Sequence, residues 1–276
     1  MTAAEVFRRC AEAIAGADGL LITAGAGMGV DSGLPDFRGT HGFWRAYPAL
    51  GRARIAFESI ASPEAFEANP RLAWGFYGHR LLLYRATMPH EGFAILRDIG
   101  ASLPNGAFVL TSNVDGQFQK AGFPGERVCE IHGSIHHLQC MARCTADIWS
   151  AGGFAPDVDT ENCLLRSALP GCPCCRGLAR PNILMFGDWG WIDSRQKAQY
   201  RTLQAWLRQV QCPVIVEIGA GTAIPSARHF GEAARGTLIR INPTEPDIPG
   251  GKGFSLRMGG LEGIRRLRDA LYERAG

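Results

Sequence analysis

Apolar positions along the chain follow two rhythms. Between residues 3 and 15 they recur at helical spacing, with Glu5, Arg8 and Arg9 spread among them, which predicts an amphipathic helix. Gly19-Leu20-Leu21-Ile22-Thr23-Ala24 is then a short apolar run that stops at glycines, the profile of a strand buried on both faces of a parallel sheet. The same profile returns at residues 107–111, 213–218 and 237–241, each with helix-like sequence nearby. Strands alternating with helices predict an α/β fold on a parallel sheet. Ligands of such sheets sit outside the carboxyl ends of the strands. Those ends are followed here by Gly25-Ala26-Gly27, Ser112-Asn113, Gly219-Ala220-Gly221 and Asn242, so four strand ends point to one site.

Two segments break the alternation. Residues 46–97 read as helical, with the aromatic-rich Leu72-Ala73-Trp74-Gly75-Phe76-Tyr77, and residues 138–180 carry cysteines and few long apolar runs. They predict insertions that form a smaller lobe, leaving 1–45, 98–137 and 181–276 as a Rossmann-like main domain. The length of 276 residues suits one main domain with such additions. Apolar residues at 46% and charged residues at 20% describe a globular chain, and a net charge of +3 with scattered basic residues argues against direct nucleic-acid binding. No apolar stretch approaches the roughly 20 residues that span a bilayer, and the first 16 residues lack a signal-peptide pattern, so no membrane partner and a cytoplasmic location are expected.

Three constellations carry chemistry. In the first, residues 23–39, glycines after a strand let the backbone approach a pyrophosphate at a helix start; Pro35-Asp36-Phe37-Arg38-Gly39 extends this beyond an ordinary tight turn. In the second, Thr111-Ser112-Asn113-Val114-Asp115 offers amide and carboxylate partners for sugar hydroxyls, and His132 before Gly133 titrates close enough to neutrality to act as a base. Taken singly, Asn113 and Asp115 are more often turn formers than ligands, and His132 before a glycine is a loop histidine by default. The third is Cys140-Met141-Ala142-Arg143-Cys144 with Cys172-Pro173-Cys174-Cys175. Two such pairs can offer four thiolates to a structural zinc, a closed set with no open position for substrate. Cys140, Cys144, Cys172 and Cys175 are the expected ligands, with Cys163 and Cys174 as nearby alternatives.

Together these motifs resemble the sirtuin family. The likeness runs from about residue 20 to 245, through Gly25-Ala26-Gly27, Ser32-Gly33-Leu34-Pro35-Asp36-Phe37-Arg38, Asn113-Val114-Asp115, His132-Gly133, the cysteine pairs, Arg180-Pro181-Asn182-Ile183 with Phe186-Gly187-Asp188, and Ile241-Asn242. The resemblance implies a Rossmann-like domain and a zinc-and-helix lobe, with NAD and an acyl-lysine peptide meeting between them. It implies NAD-dependent deacylation, in which the acyl oxygen attacks the nicotinamide ribose and His132 takes a proton from a ribose hydroxyl. The products are nicotinamide, lysine and O-acyl-ADP-ribose. Asn113 would position the ribose or the attacking water. Asp36, Phe37 and Arg38 would cover the nicotinamide end, and Asn242 would hold the adenosine side. Ser112, Asp115 and Gly219-Ala220-Gly221 would complete the cofactor site, and the peptide would lie as an extended strand near Phe186-Gly187-Asp188 and Gly219-Ala220-Gly221.

The chain departs from the family pattern at three places: Thr111-Ser112-Asn113 stands for Thr-Gln-Asn, Gly29 for a serine, and Gly219-Ala220-Gly221 for Gly-Thr-Ser. NAD glycohydrolysis or mono-ADP-ribosylation by the same fold, and a non-catalytic NAD-sensing module, are the competing readings. Tyr77 and Arg80 lie three apart, on one helical face. They resemble the Tyr-x-x-Arg pair of sirtuins that remove succinyl or malonyl groups, a hydroxyl and a guanidinium fork suited to a carboxylate; a core tyrosine beside a solvated arginine is the alternative.

Overall fold

A computed structural model describes residues 2–36, 39–251 and 253–275. Phe37 and Arg38 of the expected nicotinamide cover lie outside them. Strands among the described residues are, in chain order, β1 (Gly19–Ala24), β2 (Ala107–Thr111), β3 (Val128–Glu130), β4 (Gly133–Cys140), β5 (Ile148–Ser150), β6 (Val158–Asp159), β7 (Leu164–Leu165), β8 (Ala179–Ile183), β9 (Pro213–Ile218), β10 (Thr237–Ile241) and β11 (Gly253–Leu256). Six form one parallel sheet in the order β11-β10-β9-β1-β2-β3. All residues of β1 and β9 are buried, as their unbroken apolar runs require.

Successive strand residues face opposite sides. One side buries Ile22, Val109, Val216 and Ile239 against α1 (Ala3–Ala15) and other helices. α1 begins where the Thr2 Oγ1 accepts from Glu5 N–H and buries Phe7, Cys10, Ala11 and Ile14. The helices between β1 and β2 are α2 (Gly39–Ala46), α3 (Pro48–Arg52), α4 (Phe57–Ile60), α5 (Pro63–Ala68), α6 (Pro70–Ala86) and α7 (Glu91–Ala101). α7 contributes Phe93, Leu96 and Ile99 to the same core as α1. After β2 come α8 (Gln117–Lys120), α9 (Ser194–Gln209), α10 (Ser226–Ala233) and α11 (Gly260–Ala275). The other side buries Leu21, Phe108, Leu110, Ile215 and Leu238 with Leu203 and Trp206 of α9 and Ala227 of α10.

A separate core joins the insertions. Phe43, Phe66, Trp74, Phe76, Tyr77 and Leu81 pack with Ile135 and Leu138 of β4 and Ile183 of β8. β4 pairs antiparallel with β5 and β8, with a register shift between Ser134 and Leu138. It runs through the segment boundary expected at 137/138 and joins the main domain to the cysteine segment. Among the described residues no helix is long and apolar enough to cross a membrane.

Candidate active site

From β1 the chain builds the sheet outward through β2 and β3, then returns to place β9, β10 and β11 on β1's other side. The junction of β1 with β9 is therefore the topological switch point, where open α/β sheets bind ligands. The turns that follow these two strands interlock there. Gly25 N–H donates to Ile218 O at 3.0 Å, and Gly27 N–H to Gly219 O at 3.1 Å. A Cβ on Gly25 would stand 2.7 Å from Ala220 Cα, one on Gly27 2.7 Å from Gly219 Cα, and Gly219 itself is left-handed at φ 59°. The glycines let two turns close on each other, a demand not visible in their local spacing. Gly221 is more open, its Cβ position 3.4 Å from Glu245 Oε2, and Ala26 is exposed.

Neighbouring strand ends are tied into the same edge. Ser112 N–H donates to Ala24 O, and Asn113 Nδ2 to Gly25 O, both at 3.0 Å. Buried Asn242 donates from Nδ2 to Ala220 O at 3.1 Å, and its Oδ1 accepts from Thr244 N–H and Glu245 N–H. Glu245 in turn accepts from Thr222 N–H at 3.2 Å and from its hydroxyl. Arg228 reaches the carbonyls of Glu245 and Asp247, both at 2.9 Å. Beneath it lies the fully buried Arg240–Glu217 pair. Sequence reading missed Thr222, Arg228 and Glu245, which carry no motif and meet only through the turns.

His132 follows β3, and its carbonyl accepts from Leu184 N–H at 2.9 Å. Burial pushes its imidazole below the ordinary histidine range, opposed by a hydrogen bond with the backbone of Ser112. That contact places His132 beside the Ser112-Asn113 turn. Asp115 is buried; its Oδ1 accepts from Gln117 N–H at 2.9 Å at the start of α8, and burial pushes its carboxyl up to about 6. Asp36 is half-buried beyond the 3-10 turn at Ala26–Ser32.

Tyr77 and Arg80 are both buried in α6, so the arginine is not a solvated one. Burial pushes the Tyr77 hydroxyl up to about 12. Phe186 is partly exposed, set edge-on to Phe57 with ring centroids 5.7 Å apart, and its N–H donates to Ala61 O. Gly187 adopts φ 65°. The segment after it is locked from below. Arg180 and Asp188, 1% and 0% exposed, form a two-pronged ion pair at 2.7 and 2.9 Å. Asp188 also accepts from Gly190 N–H, while Gln139 Oε1 accepts from Asn182 and Ile192. With Met185 N–H also donating to Asp188 Oδ2 at 3.3 Å, Asp188 shapes the turn that displays Phe186 and Gly187.

The sulfur atoms of Cys140, Cys144, Cys172 and Cys175 all lie within 4.8 Å of one another, with Cys140–Cys175 at 3.7 Å and Cys144–Cys172 at 3.6 Å. A tetrahedral zinc with Zn–S bonds of about 2.3 Å sets its sulfurs ~3.8 Å apart, so this donor set fits zinc. Backbone N–H groups of Cys175 and Cys174 draw the Cys172 thiol down, while a hydrogen bond with Cys175 pushes the Cys144 thiol up, so the cluster shares its protons. Arg143 at φ 52° makes the turn that accommodates the longer Cys-x-x-x-Cys spacing. Cys163 and Cys174 fall outside the group, the former buried in the insertion core.

Comparison with known proteins agrees with this geometry. The Sir2 family model matches residues 25–224. An NAD-dependent protein deacylase of Aquifex aeolicus is 29% identical over 260 residues, which cover 93% of this chain and 97% of that protein. Mitochondrial sirtuin-5 of Danio rerio, an NAD-dependent protein deacylase, is 34% identical over 245 residues, covering 83% and 74%. The crystal structure of a Sir2 homologue with NAD shares the fold at a TM-score of 0.71 and 23% identity, covering 97% of this chain and 94% of that one. With a family match that spans well over half its length, this chain belongs to the Sir2 family.

Proposed function

We infer that the chain is an NAD-dependent protein-lysine deacylase of the sirtuin type, with His132 as its general base. The observation that carries this reading is the meeting of His132, the Ser112-Asn113 turn and the interlocked glycine turns at one switch point. Bound NAD would supply the ribose carbon that accepts the acyl oxygen as nicotinamide leaves. His132, kept neutral by burial, takes the proton from a ribose hydroxyl. Asn113, anchored through Nδ2 on Gly25 O, orients the ribose or the attacking water. Gly25, Ala26, Gly27, Ser112, Gly219, Ala220 and Gly221 line the cofactor, with Asp36, Phe37 and Arg38 at the nicotinamide end. Asn242 and Asp115 hold the surrounding turns in place.

The acyl-lysine segment lies as a strand between Phe186-Gly187 and Gly219-Ala220-Gly221, and the buried Tyr77–Arg80 pair favours acidic acyl groups. The parallel sheet with α1 and α7 forms the cofactor domain, and the helices of residues 39–86 with β4, β5 and β8 the lobe that carries a structural zinc; Phe93 and Leu96, expected in that lobe, pack in the core of the sheet instead. Acyl-lysine proteins are the substrates, a reading supported by the deacylase relatives above. The test is to incubate purified protein with NAD and acetyl-, malonyl-, succinyl- and long-chain acyl-lysine peptides, and to follow nicotinamide and free lysine together. Release of both in step is expected; nicotinamide without lysine on every peptide overturns the reading.

A further inference from the structure

The buried arginine of α6 has a holder. Arg80 and Tyr84 lie one helical turn apart on the same face. The Tyr84 hydroxyl accepts from both Nε, at 3.0 Å, and Nη2, at 2.8 Å. One oxygen that engages a whole edge of the guanidinium fixes its plane as well as its position. The rings of Phe76, Tyr77 and Tyr84 stand 5.2, 5.8 and 5.4 Å from Arg80 Cζ and wall the group with aromatic surface. Tyr84 is itself held, because its carbonyl accepts from Gln117 Nε2 at 3.1 Å while Gln117 N–H is bound by Asp115. It therefore bridges the helix that carries Arg80 and the turn after β2 that carries Asn113.

The geometry points to Tyr84 as a positioning residue for acyl selectivity, one that orients Arg80 toward the carboxylate of a succinyl- or malonyl-lysine. This rests on the reading of Arg80 as the acyl-carboxylate partner. With its Nε–Nη2 edge engaged by Tyr84, the guanidinium is held in one plane and at one position. Arginine binds carboxylates through the geometry of its fork, so its orientation matters as well as its charge. Loss of the Tyr84 hydroxyl leaves the charge in place and releases the fork.

Steady-state kinetics on the succinyl- and acetyl-lysine forms of one peptide test this, using wild type, Tyr84→Phe, Arg80→Met and the double variant, with calorimetric binding of the succinyl peptide alongside. Tyr84→Phe removes only the acceptor and keeps the ring. It is expected to raise KM and Kd for the succinyl peptide roughly tenfold, with kcat and the acetyl KM moved less than about twofold. The double variant should match Arg80→Met, because both changes act through one group. If Arg80→Met abolishes the succinyl preference and Tyr84→Phe preserves it, the positioning role is refuted and the reading of Arg80 stands. If Arg80→Met leaves the succinyl-to-acetyl ratio unchanged, both fall. An equal loss on both peptides in Tyr84→Phe marks a tyrosine that only supports the fold, and also overturns the proposal.

Discussion

Burial sets the protonation of the two titrating groups around which the site is organised. Burial pushes His132 below the ordinary histidine value of about 6.5, so it loses its proton at a lower pH than a free imidazole does. The acid limb of kcat/KM should therefore lie below pH 6.5, and a limb above that value in the free enzyme would contradict the assignment. His132→Ala should lower deacylation at least about a hundredfold while calorimetric NAD affinity changes only a few-fold, because the base is lost and the interlocked glycine turns are kept. Undiminished turnover would refute its role. Asp115 moves the other way, from 3.8 to about 6. Between these values the folded protein holds a proton that the unfolded chain releases, so stability falls as pH rises from about 4 to 6 and stays lower above that window. The effect is of the order of 1–3 kcal/mol. Asp115→Asn keeps the acceptor for Gln117 N–H and should flatten this slope in denaturant unfolding; a slope unchanged from wild type would place the titration elsewhere.

At the scale of elements, β4 links two kinds of chemistry. It starts at Gly133, beside His132, and ends at Cys140, one of the four cysteines that could hold a zinc. Eight residues of strand span roughly 20 Å with its register shift, too far for a metal to reach the reacting atoms. A zinc held there would act by closing the turns at both cysteine pairs. One tightly held zinc per chain is expected from elemental analysis, and Cys172→Ser should release it and lower the thermal midpoint. Gently purified protein without stoichiometric zinc, or a Cys172→Ser variant with wild-type stability, would contradict this. The same elements show what the sequence discloses. α1, β1, β2, β9 and β10 were legible because each carries its own periodicity or a buried apolar run of five or six residues. β3 and β11, three and four residues long with polar Glu130 and Ser255, are too short for either signal. The four cysteines announced themselves by spacing. The Arg180–Asp188 pair and the Tyr84 hold on Arg80 did not, since ion pairs and hydroxyl contacts in the core leave no periodic trace.

Among the described residues, three apolar cores meet at one polar edge. Two cover the faces of the parallel sheet, and the third joins the helices of residues 39–86 to the sheet of β4, β5 and β8. The chain doubles back at β1, so the turns after β1 and β9 face each other, and Asn113, His132 and Asn242 arrive from three further strand ends. On the proposed function, this arrangement couples cleavage of NAD to transfer of the acyl group in one site. The most direct test is a mass-spectrometric count of products from the purified protein with NAD and an acyl-lysine peptide. The account predicts one O-acyl-ADP-ribose for each lysine and each nicotinamide released; free ADP-ribose accumulating while the peptide stays acylated would contradict it.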